Sequence, residues 1–595
     1  MTENRPSSSR KPALLTIEGR RAEPGSPPRP PRSRLLTDRL YRAPAVLLLA
    51  AAVAGGAASC SGDDDGPLFP PDVSTSGDPP LPPPEPADID PAPGGVRRLL
   101  ARQYLGSVKV LLGDVGVAAA DPPQDSQLWG LEAIAASQLP MAPSAVEKYE
   151  LSARNIAAAA VADSSTLAMI LPCTPTGAND QACFGEFVTE FGRMAWRRPL
   201  SAVEVSEVVT TAQIGAAANN TWTAGIESAI SALLQSPYFL YLVEVGEPDA
   251  ENPARRRLTP LELATRMSMF LINATPDLAL LDVAESGGLD DNTQVRALAK
   301  AMLARPEAKA ALADFHDEVF ELRELDAVSK DPDLFPQFTA ELRDAMREET
   351  QRFLADIVWT RNADSREIFD GKSTFVNSDI AWLYGIQAPA GEAYAKVTLP
   401  PAQHRAGILG QASFLTKFAH PNQTSPTRRG LFIQSVLLCT DIPPPPPGVN
   451  PNLPEDDGTP KTMKQKLAQH AKDQSCAACH GQMDGFGFAL ENYDAIGAFR
   501  VTDQGLPIDP TASMEGFGDF QSAEEIGALL RENPLATQCI VRNLFRQSMG
   551  HKELKGELPA LLALDEAFVG ADHRIQDILV ELCASPAFQL VGEPK

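Results

Sequence analysis

Strand-type alternation of apolar and polar residues is scarce in this chain, and aromatics make up only 6% of its 595 residues. Those two shortages set aside a mainly β body and leave Ala/Leu-packed helices joined by loops that draw on 53 prolines and 41 glycines. Beyond residue 60 no basic stripe stands out, and the formal charge is −25, which argues against nucleic-acid binding. The patterns G-x-S-x-G, H-E-x-x-H and G-x-G-x-x-G are all absent. With them go the nucleophile elbow, the helical zinc-protease motif and the dinucleotide fingerprint. A second C-x-x-C is missing too, so the single pair at Cys476 and Cys479 has no partner pair with which to close a four-cysteine zinc site.

What is present begins with an export signal. Arg39 and Arg42 precede the apolar run APAVLLLAAAVAGGAA (43–58), which ends in small residues followed by Cys60. The run is shorter than the roughly 20 residues of a spanning helix, and Ala57-Ala58-Ser59-Cys60 resembles a lipoprotein signal in which Cys60 carries the lipid. Residues 1–60 are thus expected to be a basic leader and signal, with the mature protein held at the periplasmic or outer cell envelope by that anchor. Residues 61–95 are rich in Pro and Asp and read as an extended linker. From Val96 onward helix-start chemistry recurs. Ser201-Ala-Val-Glu204, Thr259-Pro-Leu-Glu262 and Ser522-Ala-Glu-Glu525 are capping boxes, and Pro260 suits a first helical position. The segments LLQSPYF (233–239) and ELCASPAF (581–588) each close a helical stretch with Ser-Pro-x-Phe, a recurring helix stop.

The motif richest in chemistry is SCAACHGQMDGFGFALENYDAIG (475–497). Cys476 and Cys479 spaced C-x-x-C can add across the two vinyl groups of a haem, placing His480 under the iron as its axial ligand. A disulfide, a zinc site built from the two cysteines and a histidine, and a remnant that has lost its haem are the competing readings. TMKQKLAQHAKDQS (462–475) is the expected helix leading into the motif. For a sixth ligand the downstream candidates are Met514 and Met549, with His551 and His470 as alternatives, while Met483 lies too close in sequence to reach the other haem face. Asp484, Glu491 and Asp494 read as loop caps and arginine partners rather than a calcium site. His316 reads as a half-buried structural residue, and His404 and His420 as loop residues.

Cysteine arithmetic fits an oxidising compartment. Cys173 and Cys183 are close enough to close a small loop as a disulfide. A Cys439–Cys539 bridge with Cys583 buried and free is one solution for the rest, and a Cys539–Cys583 bridge is another.

Several motifs occur in a telling order: RRLLARQYLGSVKVLLGD (97–114), AWRRPLSAVE (195–204), LLQSPYFLYLVEVGEP with RLTPLELATRMSMFL, RAGILGQASFL with TSPTRRG and IPPPPPGV, and finally CAACHGQMDGFGFALENYDAIGAFR. In that order they resemble bacterial multidomain proteins, of planctomycete and myxobacterial type, assembled from the domains of unknown function numbered 1587, 1595, 1592, 1588 and 1585 and often described as cytochrome-like. Where that family reads Asp-Pro, this chain has Asp484-Gly485. The resemblance implies helical domains at 96–172 (1587-like), 173–247 (1595-like), 256–390 (1592-like), 404–503 (1588-like, with the CxxCH) and 515–592 (1585-like). The expectation is a mainly α, multidomain envelope lipoprotein with a C-terminal cytochrome c-like module. It would hold one covalent haem c through Cys476, Cys479 and His480 and act in electron transfer with an unidentified redox partner. A haem-dependent oxidoreductase on an extracellular substrate, or a surface scaffold with a structural CxxC, are the alternatives. The signal makes a direct prediction: labelled palmitate is incorporated into the chain expressed in a Gram-negative host, and Cys60→Ser abolishes the label on an autoradiograph.

Overall fold

The structure is a computed structural model and describes residues 89–391, 393–443, 458–470 and 474–594. The signal, Cys60 and most of the linker lie outside those residues. The body is mainly α-helical with a few short strands. Among the described residues no helix is long and apolar enough to cross a membrane.

Helices begin where capping chemistry puts them. Ser201 and Thr259 each accept a bond from the backbone N–H three residues on and receive the glutamate side chain in return, so both boxes form. The third is half formed: Ser522 caps the N–H of Glu525, but the Glu525 carboxylate turns back to the N–H of Gln521. The two Ser-Pro-x-Phe segments do more than stop helices. In each, the serine caps a new short turn, Pro237–Leu240 or Pro586–Gln589, and a strand follows at once. Strand Tyr241–Glu244 pairs antiparallel with Gly95–Arg98, and Leu590–Gly592 pairs antiparallel with Arg255–Arg257. Phe239 and Phe588 are fully buried beneath these turns.

Buried apolar side chains gather into two large clusters rather than one per expected domain. One runs from Tyr104 to Leu240. The other joins Ile89 to residues from Leu258 through Val591, so the 1592-, 1588- and 1585-like regions share a single core. A buried network ties the two clusters together. Glu244 accepts from Arg266 Nε at 2.8 Å and from Arg97 Nη2 at 3.3 Å. Burial opposes that charge, but Arg266 and Arg97 hold the Glu244 carboxyl down at about 2. The ordered body also starts earlier than the linker composition suggests. Ile89 is buried, Asp90 N–H bonds Gly556 O at 3.0 Å, and Ala92 N–H bonds Glu557 Oε1 at 3.1 Å. Contacts with the C-terminal region override a Pro-rich local sequence.

Among the described residues two disulfides form, Cys173–Cys183 and Cys439–Cys539, and Cys583 is buried and free. The second joins the 1588-like and 1585-like regions.

The CxxCH motif sits on helix Gln474–Phe488, here the site helix, which crosses helix Pro426–Phe432, the brace helix. The crossing is tight because glycine stands at both contact points. A Cβ on Gly430 would overlap the Met483 carbonyl oxygen, and one on Gly487 would overlap the backbone of Pro426. Gly481, by contrast, faces open space. Gly430→Ala is therefore expected to destabilise by about 2–3 kcal/mol, since backbone must move. Gly481→Ala is expected to stabilise by about 0.5–1 kcal/mol through helix propensity. Urea midpoints of the two variants, moving in opposite directions, check the crossing.

Candidate functional site

The expected helix over 462–475 ends early: one helix spans Met463–His470 and a second, Gln474–Phe488, carries the entire CxxCH and continues beyond it. The 3-and-4 spacing of an α-helix puts positions 476, 479 and 480 on one face. The side chains of Cys476 and His470 lie outside the described residues. Cys479 is half-buried with a free thiol.

Beside this face opens a cleft of about 850 Å³, within the range of small-molecule sites. Ala477, His480, Gly481, Asp484, Gly485 and Phe488 of the site helix form one wall. Lys464, Leu467 and Ala468 come from helix Met463–His470, and the opposite side is built by strands Ala512–Met514 and Gly518–Phe520 and the start of helix Ala523–Glu532. Lys464 spans the rim, donating to Asp509 Oδ2 at 2.7 Å and Thr511 O at 2.6 Å. Under the cleft, fully buried Phe486 stacks on Phe520 at 5.4 Å and meets Phe517 edge-on at 5.0 Å. Those rings fix the floor in a dry core.

His480 is the polar centre of the wall. Its Nδ1–H donates to Asp484 Oδ2 at 2.9 Å, one helical turn on, and Asp484 Oδ1 accepts from the Thr427 hydroxyl of the brace helix at 2.8 Å. The carboxylate bond raises the imidazole pKa above its ordinary value against the opposing effect of burial. It also selects the tautomer in which Nε2 keeps its lone pair, the form that ligates metals. Sequence reading missed this pairing by treating Asp484 as a loop cap. The i, i+4 spacing from His480 was the available signal.

The other predicted residues are dispersed. Met514 is buried with its thioether packed over Gly485, and it does not line the cleft. Met549 lies apart, its sulfur 3.9 Å from Arg266 Nη1, and His551 Nδ1 meets Lys552 O at 2.8 Å. Glu491 receives Thr424 Oγ1 at 2.9 Å and Arg500 at 3.3 Å, and Asp494 caps the N–H groups of Ile496 and Ala498. Glu491 and Asp494 thus serve the arginine-partner and loop-cap roles expected of them, whereas Asp484 does not. His316 is more buried than expected, set between Phe315 and Phe320, and burial pushes its imidazole down to about 4. Among the described residues no group of three or more His, Cys, Asp or Glu side chains is gathered as a metal ion would need.

Four family models match the chain, each described as a protein of unknown function: DUF1595 over residues 183–244, DUF1592 over 258–386, DUF1588 over 405–503 and DUF1585 over 518–588. DUF1587 is not detected, and residues 96–172 fall outside all four matches. No curated protein and no solved structure matches the chain. The site helix belongs to the DUF1588 match, while Asp519, Phe520, Gln521 and Glu525 of the facing wall belong to the DUF1585 match.

The raised His480 pKa has a stability consequence. A group whose pKa is higher folded than unfolded contributes stability that is fully present below its unfolded value and is lost as pH rises through the folded one. Asp484→Asn is therefore expected to lower the urea midpoint at about pH 5.5, with a deficit that shrinks by about pH 9 as the imidazolium disappears. Equilibrium unfolding at the two pH values checks it.

Proposed function

Starting from a multidomain protein built of DUF1595, DUF1592, DUF1588 and DUF1585 regions, we propose that the chain is an exported, lipid-anchored electron-transfer protein of the cell envelope that binds one covalent c-type haem. The observation that carries this reading is the CxxCH on one helix face, with His480 at the border of the 850 Å³ cleft and oriented by Asp484. Cys476 and Cys479 would hold the haem by thioether links, and His480 Nε2 would ligate its iron. Bound haem supplies a one-electron Fe(III)/Fe(II) couple.

The protein's own residues suit that role. Asp484 keeps the proton on Nδ1 and fixes the imidazole plane. Leu467, Phe488 and Phe520 give the cleft apolar walls, and the Phe486 cluster excludes water from its floor. The two disulfides support an oxidising, extracytoplasmic location, where a covalent tether prevents loss of haem. No redox partner is singled out by the surface.

One observation favours the second reading, a haem-dependent oxidoreductase. Neither Met514 nor Met549 lines the cleft, so among the described residues of its lining His480 would be the one His or Met ligand to the iron, which would leave room for a small ligand such as peroxide.

A pyridine haemochrome spectrum on protein made with cytochrome c maturation machinery tests the haem reading. The expected result is a c-type α-band in the wild type that is lost in Cys476→Ala/Cys479→Ala. No band in the wild type sinks both haem readings and leaves a scaffold protein with a structural CxxC. CO binding to the reduced protein then separates the two haem roles, because an iron with two firm protein ligands resists it.

A further inference from the structure

A histidine ligand is tuned by whatever accepts the hydrogen bond from its other ring nitrogen. A neutral carbonyl orients the ring and does little else. A carboxylate adds negative charge and electron density to the imidazole, and through it to the metal. Asp484 is a carboxylate in that position, at 2.9 Å from Nδ1 and 5% exposed. Both of its oxygens are committed, Oδ2 to His480 and Oδ1 to the Thr427 hydroxyl at 2.8 Å. Thr427 comes from a different helix, one locked to the site helix where Gly430 and Gly487 let the backbones touch. The carboxylate is thereby held in one rotamer against the ring by a second element of the fold. An aspartate needed only to cap or solubilise the helix would have neither the burial nor the partner.

Resting on the haem reading above, we infer that Asp484 is a positioning residue that sets the reduction potential of the centre. Its charge, delivered through His480, favours the ferric over the ferrous iron, because the oxidised centre carries one more positive charge for the anion to stabilise. Thr427 moderates the effect, since its O–H competes with the imidazole N–H for the carboxylate's electron density. The midpoint potential is therefore lower than it would be with a neutral acceptor on His480 Nδ1.

Redox titration of the haem-loaded mature chain tests this, with haem content first fixed by the haemochrome assay. Asp484→Asn keeps the shape and removes the charge. If the oxidised centre loses the roughly 10–100-fold advantage typical of such outer-shell partners, the midpoint rises by about 60–120 mV at 59 mV per tenfold. Thr427→Val keeps the carboxylate and removes its competing donor, so the midpoint moves the opposite way. That second variant carries the test if Asp484→Asn fails to fold or to load. Haem present at equal midpoints in the wild type and the loaded variants overturns this inference alone. Absence of haem from the wild type overturns the haem reading and this inference with it.

Discussion

Arg429 is the constraint on which the site depends. Its guanidinium is fully buried and donates to four backbone carbonyls, those of Leu415, Leu490, Tyr493 and Asp494, at 2.9–3.1 Å. Glu491 stands 3.9 Å away. Burial lowers its pKa to about 10, so it keeps its charge at neutral pH. A buried cation is costly unless its donors are satisfied. Here the reward is structural: the segment after the site helix, residues 490–494, forms no regular ladder, and Arg429 gives the Tyr493 carbonyl a donor and adds a second donor to those of Leu490 and Asp494, which also accept from the N–H groups of Tyr493 and Gly497. Lysine has one point charge on a flexible stem and could not hold four acceptors in a plane. Arg405 works in the same way nearby, bonding Gly410 O and Gly497 O while its guanidinium lies between the rings of Tyr384 and Tyr493 at 4.5 and 4.6 Å. Two arginines thus pin the backbone of a loop whose Leu490, Tyr493 and Ile496 side chains are buried in the core, and that loop fixes where the site helix ends.

Local chemistry was the legible part of the fold. Capping serines and threonines, prolines at first helical positions and the dearth of strand alternation act within a few residues of themselves, so the helical body and many helix starts could be read directly. The Cys173–Cys183 pairing was readable for the same reason of proximity. The linker boundary was not. Residues 89–94 share the Pro- and Asp-rich composition of the residues before them, yet they bond to residues 556, 557 and 592, more than four hundred positions away.

The site was half legible. Cys476, Cys479 and His480 announce themselves by spacing. The helix that carries them does not, because Gly481, Gly485 and Gly487 each cost a helix about 1 kcal/mol relative to alanine, so this stretch reads as a loop. Tertiary packing reverses that preference: Gly487 is required where the brace helix touches, and Gly485 leaves the space that Met514 fills. Once the segment is helical, Asp484 falls one turn from His480, and its role changes from loop cap to imidazole partner. The same blindness to tertiary context hid the placement of Met549. Its spacing from the motif suited a sixth ligand, but Arg266 and the buried Glu244 network hold that part of the chain elsewhere.

The division into family regions and the division into cores differ, and the site lies where they differ. Regions matched separately as DUF1592, DUF1588 and DUF1585 bury their apolar side chains in one cluster. The cleft takes its histidine wall from the second of these and part of its facing wall from the third, with the Cys439–Cys539 bond tying the two regions together. A core shared in this way cannot be cut at a family boundary without exposing apolar surface on both sides. The DUF1585 region is therefore part of the site's architecture and not an appendage to it. Phe517 and Phe520 seat the site helix through Phe486, and Phe520 also lines the cleft, so a change there would reach His480 through the helix on which it stands. The chemistry of the motif is local, but its geometry is set by residues from regions that sequence comparison treats as independent.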